Sequence, residues 1–366
     1  PPAPPPTAAP VADTGLKGAA TQVATDLAQQ LGPARSRTIA IDPLLDKTTG
    51  QQTAASLRAQ QEIATALSAR VSGATVQPFR DLAPEPTGLV ATGTVGSATP
   101  PDGYVLTVAL TDRASGLVVA QSAARFSESG LDKTPTAFYS DSPSLVRDRS
   151  VDGYLKTAET PKGSLADPLY VEQLPTAALL ASALEEYNAS RWESALAGYT
   201  AAAARTDGQT LRTFNGLYLT NMKLRRPADA EAAFSKIVGL GLSTNNLAVK
   251  LLFRPGTTEF VADPAFSEVY PMWLRQIARG ANSNGACLSV VGHTSASGSP
   301  AVNDPLSVAR AQAVKARLVR EVGGLDRKLT VKGVGARQNI VGTGADDASD
   351  AVDRRVEFGV EACPAR

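Results

Sequence analysis

Residues 288–310, LSVVGHTSASGSPAVNDPLSVAR, constrain the fold more than any other stretch of this chain. The stretch opens with an apolar run at residues 288–291, which is long enough for a buried strand. A loop rich in Gly, Ser and Pro follows it. Asn303 and Asp304 are suited to cap the next helix, and Pro305 suits the first turn of that helix. We therefore predict a strand, a polar loop and a capped helix, an arrangement that gathers backbone N–H groups and a cation around a small anion.

Several short motifs stand in a fixed order along the C-terminal part of the chain. They are Gly-His-Thr-Ser at 292–295, Asn303, Leu-Ser at 306–307, Arg-Ala at 310–311 and Asp-Arg-Arg-Val-Glu at 353–357. In this order they resemble the OmpA-like family, whose members are bacterial cell-wall-binding domains. The resemblance covers about a third of the chain, from near Val249 to Cys363, and it implies a βαβαββ domain at residues 246–366.

The resemblance implies that this domain binds peptidoglycan. In the family, an Asp after the His-Thr pair meets the amine of the stem-peptide diaminopimelate, and a helix Arg grips the carboxylate of the same residue. Arg310 matches that arginine, whose planar guanidinium can bind a carboxylate in bidentate fashion. Ser295 stands where the family has the acid. A serine offers only a neutral hydrogen bond, and a charge-assisted bond is roughly twice as strong.

The resemblance also implies which residues bind the stem peptide. They are Thr294, Ser295, Asn303, Arg310, Arg354 and Arg355. Backbone N–H groups near the first two would assist Arg310, while Asn303 and Arg354 or Arg355 would shape the pocket. Asp304 and Asp353 are candidates for the missing negative charge.

Two functions stay open. In the first, the chain is a non-catalytic periplasmic envelope protein that binds the peptidoglycan stem peptide and presents modules that contact other envelope proteins. In the second, it is the assembly scaffold of an envelope complex, and its OmpA-like domain has lost peptidoglycan binding through Ser295.

The chain has two cysteines, Cys287 and Cys363, each at the margin of a predicted strand. In the OmpA-like family the last strand lies antiparallel beside the strand that ends in the Gly-His-Thr motif. The resemblance therefore implies that the two cysteines lie close together, and we predict a disulfide between them. A disulfide indicates an oxidising compartment. We expect this compartment to be the periplasm, in association with the outer membrane. Two separate buried thiols are the alternative.

Composition limits the class of protein. The 366 residues suit two or three domains, and 43% hydrophobic with 19% charged residues indicates a globular chain. The net charge of +1 argues against a nucleic-acid partner. No apolar run approaches the length of roughly 20 residues that a helix needs to cross a membrane.

Residues 1–13 are rich in Pro and Ala, which predicts a flexible tether. We expect membrane contact only through a lipid anchor upstream of this tether, as in lipoproteins.

Residues 14–130 predict an α/β sandwich with the order α-β-α-β-β-β-β. The hairpin signal in this part is Asp-Arg-Ala-Ser-Gly at 112–116. The segments TIAIDPLLDKTTG and TDRASGLVV resemble the periplasmic fold of curli-secretion and flagellar-assembly lipoproteins and of activators of penicillin-binding proteins. That resemblance implies a contact module, and an unspecified α/β domain is the alternative.

Residues 131–170 are rich in Ser, Asp, Pro and Gly and predict a linker, while residues 171–245 predict helices throughout. A short pattern is repeated within this segment: Ala195 and Tyr199 correspond to Ala230 and Phe234, with an offset of 230 − 195 = 35 residues. This offset is close to the period of about 34 of tetratricopeptide repeats, and the segments 193–204 and 228–239 resemble the second helix of that repeat. A peptide-binding groove and a simple spacer are both open.

The sequence does not predict an enzyme. His293 is the only histidine, and although Ser289, Ser295 and Ser297 are near it in sequence, its position at a strand end favours a structural imidazole. One histidine and two distant cysteines do not make a zinc site. The acids Asp346, Asp347, Asp350 and Asp353 lack an EF-hand pattern, so a solvated loop is favoured over calcium binding. We expect no cofactor.

Overall fold

The computed structural model describes residues 15–32, 37–98, 103–254, 256–261, 268–283, 285, 287–341, 344 and 353–363. The predicted tether at residues 1–13 and the loop acids Asp346, Asp347 and Asp350 lie outside these ranges. Within them the chain is mixed α/β with two sheets, which confirms the predicted class. None of the helices in the described ranges is both long and apolar enough to span a membrane.

The helices and strands follow one another in this order. They are α1 (Leu16–Leu31), β1 (Arg37–Ile41), β2 (Leu45–Asp46), α2 (Ala54–Arg70), β3 (Ala74–Pro78), β4 (Leu89–Ala98), β5 (Gly103–Asp112), β6 (Val118–Ser127), α3 (Ala137–Asp141), α4 (Arg149–Glu159), α5 (Pro168–Glu172), α6 (Leu174–Asn188), α7 (Trp192–Ala203), α8 (Leu211–Lys223), α9 (Pro227–Ser243), β7 (Leu247–Val249), α10 (Tyr270–Ser283), β8 (Cys287–His293), α11 (Pro300–Glu321), β9 (Leu329–Gly335) and β10 (Val356–Glu361).

The chain divides into two compact units. Unit 1 comprises residues 1–47, 52–133 and 152–172, and unit 2 comprises residues 48–51, 134–151 and 173–366. The segment 131–170, predicted as a linker, carries α3, α4 and the start of α5. Its residues are divided between the two units.

Unit 1 is built on a six-stranded sheet in the order β3-β1-β4-β5-β6, with β2 beside β4. Strand β1 runs parallel to β3 and β4, while β4, β5 and β6 form an antiparallel meander. The predicted hairpin signal lies between β5 and β6, where Asp112 accepts hydrogen bonds from the backbone and the hydroxyl of Ser115. Gly116 follows with φ 70°, a conformation that favours glycine.

Both faces of the unit 1 sheet are covered. Helices α1 and α2 share a core with Val108 of β5, while the next residue, Ala109, belongs to a small cluster with Val118 and Ala166. Successive residues of a strand point to opposite faces, so residues 152–172 cover the second face. There the Tyr170 hydroxyl donates to the Asp42 carboxylate at 2.8 Å.

In unit 2, helices α6 to α9 form two successive hairpins with a repeated turn. Ser190 and Arg225, just after α6 and α8, have φ of 60° and 56° and are separated by 225 − 190 = 35 residues. The Arg191 N–H donates to the Glu186 carbonyl, and Arg226 N–H donates to the Asn221 carbonyl. The ends of α6 and α8 therefore repeat with the same 35-residue offset as the sequence pattern at Ala195 and Ala230.

These helices and the C-terminal sheet share one hydrophobic core. Trp273 of α10 donates its indole N–H to the Tyr218 hydroxyl at 2.9 Å and stacks on Phe234 with ring centroids 5.5 Å apart. Aromatic contacts of this kind add to the burial of their apolar area. The helical hairpins are therefore stabilised by the domain that follows them.

The C-terminal sheet has the order β7-β10-β8-β9. Strand β10 is antiparallel to β7 and β8, and β8 is parallel to β9. Glu361 of β10 pairs with Cys287 of β8, and Cys287 forms a disulfide with Cys363, with the two Cα atoms 5.0 Å apart. The predicted disulfide is thus present. The sheet's first strand in chain order, β7, is Leu247–Val249.

Helix α11 begins earlier than predicted. Its first residue is Pro300, so Asn303, Asp304 and Pro305 lie inside the helix and do not cap it. Pro305 lacks an N–H for the carbonyl four residues before it, and a single missing bond near a helix start is tolerated. The Asn303 amide bonds to loop carbonyls, as described below.

Helix α11 packs so closely on β8 and β9 that only glycine fits at the contact. A Cβ at Gly292 would lie 2.2 Å from the Ser307 carbonyl oxygen, and a Cβ at Gly333 would lie 2.4 Å from the Ser307 hydroxyl. That hydroxyl donates to the Asp304 carbonyl at 2.8 Å and accepts from the Gly335 N–H at 3.0 Å. The Gly-His-Thr motif therefore begins with glycine for a steric reason.

We predict that Gly292→Ala lowers the free energy of unfolding by about 1–3 kcal/mol, because the added methyl group forces α11 away from β8. Urea unfolding followed by circular dichroism measures the change. Gly323→Ala is the matched control, since a Cβ there has no heavy atom of the described structure within 4 Å. Equal stability of the two variants would contradict the close-packing account.

Candidate functional site

A cavity of about 270 Å³ lies at the end of β8. Its walls come from the loop after β8, from helix α11 and from residues 252–261. The described residues that line it include polar and charged side chains and apolar ones. The polar and charged residues are Thr294, Ser295, Ser297, Asn303, Arg310 and Arg354. The others are Leu252, Phe253, Gly256, Val261, Val302 and Leu306. Five of the six predicted ligand-binding residues are therefore together at one cavity.

Arg310 is the buried cation of this cavity, with only 4% of its surface exposed. It lies in the middle of α11 and not at a helix start. Its Nε donates to the Thr257 carbonyl at 3.1 Å, its Nη2 is 3.3 Å from the Arg254 carbonyl, and its Cζ is 4.9 Å from the Phe253 ring centroid. A buried charge needs such partners, and these contacts fix the plane of the guanidinium.

Residues 252–254 and 256–261 present the two carbonyls because they form a small closed turn. The Arg254 N–H donates to the Glu259 carbonyl at 2.8 Å, and the Val261 N–H donates to the Leu252 carbonyl at 3.0 Å. Sequence analysis did not identify this turn as part of the site. The Thr257 and Arg254 carbonyls are 53 and 56 positions from Arg310 in the sequence, and only the fold brings them to it.

The loop after β8 is held by two asparagines. Asn303 Nδ2 donates to the Ser297 carbonyl at 3.0 Å and lies 3.4 Å from the carbonyls of Ser295 and Gly298. With its amide oriented to satisfy both of its polar atoms, Asn339 donates to the Thr294 carbonyl and accepts from Ala296 N–H, both at 2.9 Å. Asn303 therefore positions the loop. Asn339 also holds the loop, although no sequence motif indicated this residue.

Three hydroxyls belong to the same wall. The Ser295 and Ser297 hydroxyl oxygens are 3.0 Å apart. Thr294 is 2% exposed, and its hydroxyl has no hydrogen-bond partner among the residues that the structure describes. The backbone N–H of Thr294, expected to assist a ligand, instead donates to the Gly335 carbonyl at 3.0 Å. A ligand in the cavity would therefore meet hydroxyl groups here.

The two acids considered as replacements for the family Asp bond elsewhere. Asp304 forms a bidentate ion pair with Arg337, with both oxygens 2.6 Å from Nη1. Asp353 accepts from the N–H groups of Ile340 and Val341 at 2.6 and 3.2 Å. The described residues of the cavity lining include no carboxylate, and the charged side chains among them are those of Arg310 and Arg354.

The two consecutive arginines 354 and 355 have different roles. Arg354 lines the cavity. Arg355 is buried, and its guanidinium donates to the Glu357 carboxylate at 2.7 Å and to the Gln338 carbonyl at 3.1 Å. Of the six predicted ligand-binding residues, Arg355 is the one that the described lining does not include.

His293 contacts the same glutamate. Its ring is buried, and its Nε2 is 3.5 Å from the Glu357 carboxylate on the neighbouring strand β10. Burial alone would raise the pKa of Glu357, but the facing imidazole and the Arg355 guanidinium outweigh burial and lower this pKa to about 2. This contact favours the predicted structural role of the imidazole.

The lowered pKa gives a pH dependence. A carboxyl with a depressed pKa in the folded state stabilises the fold above its ordinary pKa of 4.5, and this contribution is lost as the pH falls towards about 2. We predict that Glu357→Gln is less stable than the natural chain at pH 6 and that the difference disappears near pH 2. Urea unfolding at several pH values measures this. A difference that is independent of pH would contradict the charge-based account.

Residues 252–353 match the model of the OmpA family, so the chain carries an OmpA-family domain in its C-terminal third. Solved structures are similar to this part of the chain. The peptidoglycan-associated lipoprotein from Burkholderia pseudomallei is 23% identical over 30% of this chain and 88% of its own, with a TM-score of 0.26. The cell wall anchor of the T6SS from Pseudomonas aeruginosa is 25% identical over 32% and 80%, with a TM-score of 0.26. No curated protein matched the chain.

Proposed function

We propose that the chain is a non-catalytic periplasmic envelope protein whose C-terminal domain binds the peptidoglycan stem peptide. The observation that carries the proposal is the cavity around Arg310, where a buried guanidinium and Arg354 line one small recess. A diaminopimelate carboxylate is an anion of suitable size and geometry for such a recess. The match of residues 252–353 to the OmpA family supports the same ligand.

Arg310 is the principal ligand-binding group in this proposal. A guanidinium that two backbone carbonyls already hold loses little side-chain entropy when a carboxylate binds. Its planar fork matches a carboxylate, and a charge-assisted hydrogen bond is roughly twice as strong as a neutral one. Arg354 adds positive charge, and Thr294 and Ser295 contribute hydroxyls.

The remaining modules are proposed to contact proteins. The repeated helix ends of α6 and α8, 225 − 190 = 35 residues apart, support tetratricopeptide-like hairpins at residues 171–245. The sheet of unit 1, covered on both faces, supports the α/β sandwich predicted as a contact module. In this arrangement the C-terminal domain fixes the chain to the cell wall, and the other modules bind envelope proteins near the outer membrane.

The alternative function is an assembly scaffold without peptidoglycan binding. The observation in its favour is Ser295, whose hydroxyl lies 3.0 Å from the Ser297 hydroxyl where the family has an acid. In this case the natural chain would not bind isolated sacculi. The experiment below therefore separates the two functions.

We predict that the natural chain sediments with purified sacculi and that Arg310→Ala weakens this binding by at least about tenfold, because the bound carboxylate loses its charged partner. Arg310→Lys retains the charge without the fork and should be intermediate. Pellet fractions across a range of sacculus concentrations measure the affinity.

The matched control is Arg320→Ala, which removes an exposed arginine from the same helix. It should bind sacculi like the natural chain, and circular dichroism should show both alanine variants folded. An unchanged pellet fraction for Arg310→Ala would remove this arginine from the mechanism. A natural chain that stays in the supernatant would support the scaffold.

A further inference from the structure

A second cavity, of about 640 Å³, lies beside the one described above. Val261 belongs to the described lining of both cavities, so the two adjoin each other at the closed turn. The second cavity has apolar walls at Phe260, Tyr270 and Leu274, and Arg317 of helix α11 lines it as well. It therefore combines an aromatic wall with a guanidinium.

Arg317 lies against this aromatic wall. Its Cζ is 3.9 Å from the centroid of the Phe260 ring, and the residue is half-buried. A guanidinium over an aromatic ring is attracted to the ring face and keeps the N–H donors at its edge for a planar acceptor such as a carboxylate. Burial and the neighbouring Arg320 charge both lower the pKa of Arg317. Both therefore disfavour its charged form, and a bound anion would offset them.

The arrangement repeats that of Arg310. The Arg310 Cζ is 4.9 Å from the Phe253 ring centroid, and the centroids of the Phe253 and Phe260 rings are 5.0 Å apart. Arg310 and Arg317 are separated by 317 − 310 = 7 residues of α11. Seven residues make nearly two helical turns, which places the two side chains on one face of the helix and about 10.5 Å apart along its axis. A ligand with two carboxylates at this spacing can contact both arginines.

The peptidoglycan stem peptide carries two such carboxylates. One is the distal carboxylate of diaminopimelate, and the other is the α-carboxylate of the D-glutamate, which is linked to diaminopimelate through its γ-carboxyl group. The chain of bonds between them spans at most roughly 13 Å, at about 3.5 Å for every three bonds, and rotation about these bonds shortens it. We propose that Arg317 binds the α-carboxylate of D-glutamate while Arg310 binds diaminopimelate. This inference rests on the proposed function and adds a second subsite to it.

Two glutamates also belong to the lining of the second cavity, and neither opposes this assignment strongly. The Glu259 carboxylate is 3.3 Å from the Arg254 guanidinium, whose opposite charge offsets its own. Glu321 is exposed, and so is Arg320 next to it in the sequence. Water and salt screen exposed charges, so a ligand inside the cavity interacts most strongly with the half-buried Arg317.

Two synthetic tripeptides that differ in one group test the proposal. Both are L-alanyl-γ-D-glutamyl-meso-diaminopimelate, one with a free glutamate α-carboxylate and one with this group converted to a carboxamide. The carboxamide has nearly the same size but no charge. In calorimetric titration of the whole chain, we expect the acid peptide to bind about fivefold more tightly, since only its carboxylate forms a charge-assisted hydrogen bond with Arg317.

Substitutions at Arg317 identify the partner of this carboxylate. Arg317→Gln removes the guanidinium and should bind both peptides with the affinity that the natural chain has for the carboxamide. Arg317→Lys keeps a charge without the planar fork and should keep a smaller preference for the acid. The matched control is Arg327→Gln, which removes an exposed arginine outside the described lining of both cavities. It should keep the preference of the natural chain.

The outcomes separate the inference from the proposed function. Equal binding of the two peptides by the natural chain overturns the inference, while peptidoglycan binding stands. If neither peptide binds, both the inference and the proposed function fail. A preference for the acid that persists in Arg317→Gln assigns the carboxylate to another residue and also overturns the inference. Loss of both peptides by this variant contradicts it as well, because removing one subsite should leave the affinity for the carboxamide unchanged.

Discussion

The site depends on keeping one charged guanidinium out of water. Burying a charge is costly unless polar partners surround it, and Arg310 has the carbonyls of Thr257 and Arg254 and the face of Phe253. These three groups all come from one closed turn, formed by residues 252–254 and 256–261. The turn therefore both stabilises the arginine and forms a wall of the cavity. In the function that we propose, this cation is pre-oriented for a carboxylate, because its side chain has already lost its rotational freedom.

The sheet and helix α11 bring this arginine to the loop after β8. Gly292 and Gly333 allow α11 to approach both strands, and the Ser307 hydroxyl links the helix to Gly335 at the end of β9. Asn303 of the same helix holds the loop carbonyls. The distance between the loop and α11 is thus set by the close packing at the two glycines, by the Ser307 hydroxyl and by the Asn303 amide. The cavity lies between the loop and the helix.

The sequence predicted the parts of the site that lie in one motif and missed those that depend on distant contacts. Arg310 and Thr294 were identified because they match an ordered family pattern, and Ser295 because it stands where that pattern has an acid. The same family topology paired Cys287 with Cys363. The start of α11 was placed too late, because Asn303 resembles a helix cap while its amide in fact bonds to loop carbonyls. Nothing in the local sequence indicates that Asn339 contacts the loop after β8 or that the turn of residues 252–254 and 256–261 contacts Arg310. Their role comes from contacts between parts of the chain that are distant in sequence, and the different contacts of the adjacent Arg354 and Arg355 depend on the fold in the same way.

The most direct measurement of the central claim follows Arg310 itself during ligand binding. The chain labelled with ¹⁵N-arginine is titrated with the stem tripeptide L-alanyl-γ-D-glutamyl-meso-diaminopimelate, and the Nε–H resonances are recorded and assigned by substitution. A carboxylate that binds at the cavity should shift the Arg310 resonance saturably and leave exposed Arg320 unchanged. An unchanged Arg310 resonance while the peptide binds, or equal shifts at both arginines, would contradict the claim that this buried guanidinium is the carboxylate site.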